Sequence, residues 1–181
     1  AELLHQKFNV GKKTGWDILA GYDNIEHDND LEKYIKSVSY RPFDEKYIFY
    51  EDKLVWRTVR KVMQHFTKGK NIGLVFSRQA TNENWTNIQI TEAMIDNRYH
   101  FSYKGIPNQA PLYLYPETTD QQTLEQTLRR KPNFKKEIVQ GIAKKLDLEF
   151  VPDHEMLKQV QHDKYFTPLD LLDYIYAVLY S

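Results

Sequence analysis

Strand-forming and helix-forming signals are largely segregated along this chain, and that limits the folds open to it. Aromatic and β-branched runs crowd the first two thirds, interrupted by one helical stripe, and the last third carries helical periodicity. A parallel doubly wound sheet needs strand and helix in alternation, because each parallel pair is joined by a crossover. No such alternation is present. The expected class is therefore α+β: a mixed or antiparallel sheet, a basic amphipathic helix and a helical C-terminal third.

Residues 38–51, VSYRPFDEKYIFYE, read as two short strands around a turn, with Pro42 and Asp44 supplying the turn chemistry. A helix is expected over residues 54–68, where Val55, Val59, Val62 and Phe66 fall on one stripe. Arg57, Lys61, Gln64 and Lys68 repeat on another face of it, and Gly69 reads as its stop. Residues 71–78 form a buried strand with Ile72, Leu74 and Phe76 on one side. Further strands are expected near residues 85–90, 99–103 and 112–115. Asn133 is read as an N-cap for a helix with the stripe Phe134, Ile138, Ile142, Leu146. Thr167-Pro168-Leu169-Asp170 announces a last helix whose wide apolar arc either docks firmly or meets a partner. No repeat or linker divides the chain. Residues 1–36, broken by Gly11, Gly15 and Gly21, read as a leading segment ahead of a domain at residues 37–181.

Charge is segregated too. The net charge of the 181 residues is zero, yet Asp17, Asp23, Glu26, Asp28, Asp30 and Glu32 follow one another with no lysine or arginine between them. Residues 53–78 then hold Lys53, Arg57, Arg60, Lys61, Lys68, Lys70 and Arg78 with no acid, and Arg129-Arg130-Lys131 and Lys135-Lys136 follow later. Such blocks either paint one face basic or are simply solvated. Thirteen tyrosines suit a wet interface as well as half-buried strands. No apolar run approaches the roughly 20 residues that span a bilayer. The absence of cysteine removes disulfides and thiolate chemistry, and fits a reducing cytoplasm.

No signature of catalysis emerges. Gly69-Lys70-Asn71-Ile72-Gly73 lacks the spacing of a phosphate loop, and no Gly-x-Ser-x-Gly elbow exists. His5, His27, His65, His100, His154 and His162 are scattered, each read as a surface or lightly buried side chain. Asp44-Glu45-Lys46, and Asp153-His154-Glu155 with Lys158, are similar to nuclease acid–lysine sets only as chance combinations would be.

Ser39-Tyr40-Arg41-Pro42-Phe43-Asp44, followed by Tyr47-Ile48-Phe49-Tyr50, resembles a block in the C-terminal region of type ISP restriction–modification enzymes and related adenine-methyltransferase fusions. The resemblance continues through Val62-Met63-Gln64-His65, residues 69–74, Arg78-Gln79, residues 111–116, Lys131-Pro132-Asn133-Phe134 and residues 174–179. One departure is clear: the family's Arg-Pro-Arg is replaced by Arg57-Thr58-Val59-Arg60. The resemblance implies a specificity domain that recognises duplex DNA and has no cofactor of its own. It implies S-adenosylmethionine and magnesium only for the parent enzyme, and makes residues 1–36 a candidate linker from an upstream methyltransferase domain. The candidate DNA-binding residues are Arg57, Arg60, Lys61, Gln64, Lys68, Lys70, Arg78 and Gln79. Lysines such as Lys61, Lys68 and Lys70 suit phosphates; the arginines and glutamines suit base edges. Arg41, Asp44 and Asn71 have two readings each, structural or DNA-binding. The rival readings of the chain are a module docking a methyltransferase domain and, last, a small nuclease.

Overall fold

The computed structural model describes residues 16–79, 87–100, 105–116, 130–152 and 164–181, with Leu3, Gln6 and Lys7 ahead of them. The described residues form four α-helices and ten short strands in small mixed and antiparallel sheets, an α+β arrangement.

Helix α1 (Ile18–Ile25) is capped by Asp17, whose side chain accepts from the Ala20 amide. Strands β1 (Ile35–Arg41) and β2 (Asp44–Phe49) form the expected hairpin. Strand β5 (Met94–Ile95) joins β1 in parallel, giving the order β2-β1-β5. The second sheet places β3 (Gly73–Ser77) between β4 (Ile88–Thr91) and β6 (Pro107–Pro111), all antiparallel. Strands β7 (Tyr113–Leu114) and β8 (Lys131–Pro132) pair antiparallel, and β9 (Glu149–Phe150) and β10 (Tyr165–Phe166) pair in parallel. Of the other expected strands, residues 80–86 and 101–104 lie outside the described part, and Tyr99 and His100 are not in a strand. Strand β6 was not legible: its sequence PNQAP has prolines at both ends and no β-branched residue. It exists because it is an edge strand, where proline is tolerated, and because β3 supplies a complete ladder to pair with.

Strand β3 is covered on both faces. Val75, with no exposed surface, clusters with Ile95 and Tyr99, and Met63 packs against them. On the other face Ile72, Leu74, Ile90 and Phe134 pack against Leu112, Tyr113 and Leu172. Ile72 and Leu74 thus share a face as expected, but the most deeply buried side chain of β3, Val75, lies on the opposite face.

The helix expected at residues 54–68 is shorter, α2 (Arg60–Thr67). Lys53, Arg57 and Val59 take φ of 73°, 59° and 47°, which no right-handed helix accepts. Distant parts of the chain hold that segment in place. The Trp16 indole donates to Leu54 O at 2.8 Å, and the Asp17 amide donates to Lys53 O at 3.0 Å. The Tyr50 hydroxyl donates to Thr58 O at 2.5 Å, and burial pushes the Tyr50 phenol up to about 12. The expected valine stripe is therefore broken: Val59 is 53% exposed, and the buried residue of α2 is His65. Gly69 follows the helix without a left-handed φ; a Cβ there would lie 2.6 Å from the Tyr115 hydroxyl, so the glycine makes room for that ring.

Helix α3 (Lys136–Leu146) starts from Lys135, not Asn133. The Asn133 amide group instead donates to Pro111 O at 2.9 Å. Of the expected stripe, Ile138 and Leu146 are each 59% exposed, and the buried residue of the helix is Val139. Helix α4 (Pro168–Tyr180) has the expected start: Thr167 and Asp170 form a reciprocal capping box with Pro168 in the first turn.

Asn71 ties these parts together. It is 7% exposed, and its amide nitrogen donates to His65 O at 2.9 Å and Tyr113 O at 2.7 Å. Its carbonyl oxygen accepts from the Ile72 amide at 3.0 Å and the Tyr113 amide at 3.1 Å. Replacing Asn71 by alanine orphans several buried backbone groups and is expected to cost about 3 kcal/mol. Val59→Asp, at an exposed site, is expected to cost less than about 1 kcal/mol. Urea denaturation midpoints of the two variants check the ordering; equal midpoints would contradict it.

Candidate nucleic-acid interface

The Asn71 lock turns the chain sharply after α2 and sets Lys68 and Lys70 at one exposed corner. Lys68 Nζ donates to Pro116 O at 2.7 Å, which uses one of its three N–H directions and fixes where the ammonium sits. Lys70 presents its side chain outward while its carbonyl accepts from the Tyr115 hydroxyl at 2.7 Å and from Arg130 Nη1 at 2.9 Å. The Arg130 guanidinium lies 4.0 Å from the centroid of the Tyr113 ring. Tyr115 is itself held by His65, whose Nδ1 accepts from the Tyr115 amide at 3.0 Å. Three cations from two segments 60 residues apart thus meet at one corner on a buried frame. Arg130 was absent from the sequence candidates; the basic run at residues 129–131 was its only signal, and position along the chain did not reveal which corner it would join.

The other candidates do not gather there. Arg78 and Gln79 are exposed at the far end of β3, and a five-residue strand separates them from Lys70 by about 15 Å or more. Lys61 is exposed, and Gln64 is half-buried with its amide 3.5 Å from Lys61 O. Arg57 is exposed, with its guanidinium 4.9 Å from the centroid of the Trp56 ring.

Arg60 is engaged within the chain. Its Nε donates to Asp52 Oδ2 at 3.1 Å, and Nη2 lies 3.9 Å from Glu51 Oε2. Burial pushes the Asp52 carboxyl up, but hydrogen bonds from Thr58 and Arg60 and the Arg60 charge outweigh it and hold the group below the usual carboxylate range. The pairing has a local reason. Helix α2 opens on Arg60-Lys61 with no acid in its first turn and no side-chain cap, so its macrodipole faces like charge; Asp52 and Glu51 supply the missing negative charge.

At the hairpin, Arg41 stands opposite Asp44 in register, yet its guanidinium pairs with Asp96 at 2.9 Å, bonds to Tyr40 O and lies 3.9 Å from the Tyr40 ring centroid. Asp44 pairs with Lys46 at 3.3 Å. All four hydrogen-bonding positions of the Asn71 amide are taken within the chain. Between the hairpin and the start of α2 lies a groove of 1220 Å³, whose lining includes Val38, Ile48, Trp56, Val62, Met94 and Asp96.

The family model of the type ISP C-terminal specificity domain matches residues 2–181. The chain belongs to that family. Its members are the target-recognising, non-catalytic part of restriction–modification enzymes. The match includes residues ahead of β1, and Trp16 and Asp17 bond to the segment before α2. No curated protein and no solved structure matches the chain. Among the described residues no helix is long and apolar enough to cross a membrane, and no group of three or more His, Asp or Glu side chains is placed to hold a metal ion.

The Asp52–Arg60 pair leads to a pH test. A carboxyl held low in the folded state contributes stability above its unfolded value of about 3.9, and that contribution is lost as pH falls through the folded value. The pair is half exposed, so Asp52→Asn is expected to cost less than about 1 kcal/mol at pH 7. The difference from the unaltered chain should shrink as the pH is lowered below 4. Urea midpoints at pH 7 and pH 3 check this; a difference that widens on acidification would contradict the assignment.

Proposed function

We propose that this specificity domain binds duplex DNA non-covalently and reads the target for its parent restriction–modification enzyme. The observation that carries this reading is the corner where Lys68, Lys70 and Arg130 converge on a buried hydrogen-bonded frame. Phosphates attract cations whatever the base sequence, and cations held in fixed positions set the register of a protein on its duplex. Lys68, Lys70, Arg130 and the exposed Lys61 take the phosphate role. Arg57, Arg78 and Gln79, exposed and away from that corner, are the base-edge readers, because arginine can bridge guanine and glutamine can bridge adenine in the major groove. Arg60 holds the start of α2 instead. The domain carries no cofactor: S-adenosylmethionine and magnesium are bound by other parts of the parent enzyme, in the cytoplasm.

A second contact is consistent with this role. Leu169, Tyr174, Val178, Leu179 and Tyr180 of α4 are exposed, more apolar surface than a free helix favours. The methyltransferase domain of the parent is the partner we assign to that helix.

Salt titration of DNA binding separates the two kinds of residue. Lys68→Ala, Lys70→Ala and Arg130→Ala are each expected to weaken target and random DNA alike and to reduce the slope of log K against log salt by about one unit. Arg57→Ala or Arg78→Ala is expected to cost about 1–3 kcal/mol on the target and little on random DNA. If all five leave both affinities and slopes unchanged, the basic residues are a solvated surface and the reading fails.

A further inference from the structure

The apex of the β1–β2 hairpin is built at a cost that folding does not explain. Arg41 and Asp44 are register partners, so Pro42 and Phe43 form a two-residue turn. Phe43 has φ of 63°, in the left-handed region, directly after a proline. That is the pattern of a type II turn, whose third position strongly favours glycine or asparagine. Yet the ring here is 101% exposed, so it buries nothing in return. A strained residue with no contact of its own in the fold points to work done on a partner.

The surroundings narrow the chemistry that such a partner must have. The apex is stiff: Pro42 fixes one turn torsion, and the Arg41–Asp96 ion pair at 2.9 Å ties the hairpin to the chain beyond β5. Beside the apex, Arg41 and Lys46 lie 3.9 Å and 4.0 Å from the centroid of one ring, Tyr40. Two cations gathered on a single aromatic ring next to a protruding phenyl suit a polyanion with stacked apolar layers. The nearby acids do not reverse this. Asp96 and Asp44 are matched to Arg41 and Lys46, and strand alternation puts Glu45 on the opposite face from Lys46. We infer that Phe43 is a wedge that inserts at a base step of the bound duplex while Arg41 and Lys46 meet the phosphates beside it. The inference rests on the DNA-binding reading above. Apolar wedges of this kind unstack one step and open the duplex to a wider contact.

The test uses the whole chain, a duplex carrying the site that this chain selects from random-sequence DNA, and the same duplex with 2-aminopurine placed at successive positions. Anisotropy reports binding, and 2-aminopurine fluorescence independently reports unstacking. The unaltered chain is expected to brighten the probe at one step. Phe43→Gly relieves the turn, so it should raise the thermal midpoint, abolish the brightening and weaken target binding about tenfold, the worth of one lost base–aromatic stack. Phe43→Trp should restore both binding and brightening. Binding by anisotropy with no brightening anywhere, or brightening that survives Phe43→Gly at full affinity, overturns the wedge and leaves DNA binding standing. A chain that binds no DNA overturns both. If Phe43→Gly binds DNA fully but loses association with the rest of the parent enzyme supplied in trans, the ring seats in a protein pocket and the wedge is likewise overturned.

Discussion

A single buried amide, that of Asn71, stands where three parts of this domain meet. Its nitrogen satisfies a carbonyl near the end of α2 and one in β7, and its oxygen satisfies the amides of Ile72 and Tyr113. A helix end leaves carbonyls without partners, and a buried strand residue cannot leave its backbone bare. One side chain answers both demands, and in doing so fixes the angle between α2 and β3. Lys68 and Lys70 lie in the turn between those elements, and Tyr113, over which Arg130 stacks, is the other anchor of the amide. The His65–Tyr115 bond braces the same joint from the helix side. Without this joint the cations would belong to two independent segments, and ordering them on a ligand would cost entropy that the frame removes in advance.

Around that joint, two apolar clusters clamp β3 from both faces, which allows a sheet of short strands to be stable. Close approach matters as much as apolarity. At Gly73 a Cβ would lie 2.5 Å from the Phe66 ring, so α2 could not pack down on the strand with any larger residue there. Among the described residues, left-handed non-glycine backbone falls outside the strands of the clamp: Arg57 and Val59 line the groove and Lys53 precedes them, Phe43 crowns the hairpin, and Asp147 ends α3.

Charge is used in two distinct ways. Arg60 and Arg41 are paired with Asp52 and Asp96, where they hold a helix start and a hairpin. Lys61, Lys70, Arg57 and Arg78 remain exposed. A neutral chain can therefore offer a basic corner, because its acids are placed where they complete the frame. The α1 region shows the same economy: Asp28 is held at about 2 by Lys33 and Tyr34, which bond to it.

The sequence by itself determined the α+β class, the hairpin with its Pro42 turn, the last helix with its Thr167–Asp170 cap and the basic character of residues 53–78. Each rests on local physics: strand propensity, proline torsion, a capping pattern three residues long, and composition. The family resemblance was legible for the same reason, since it is carried by short ordered motifs. Tertiary structure alone decided the rest. It cut the expected helix back to Arg60, because Trp16, Asp17 and Tyr50 bond to the segment before it from 8 to 38 residues away. It made a strand of PNQAP, because β3 offered a ladder. It spent Asn133 on Pro111 rather than on a cap, and brought Arg130 to Lys70. Periodicity and propensity register only near neighbours, whereas a buried polar group takes whichever distant partner satisfies it, and that choice exists only once the chain has closed on itself.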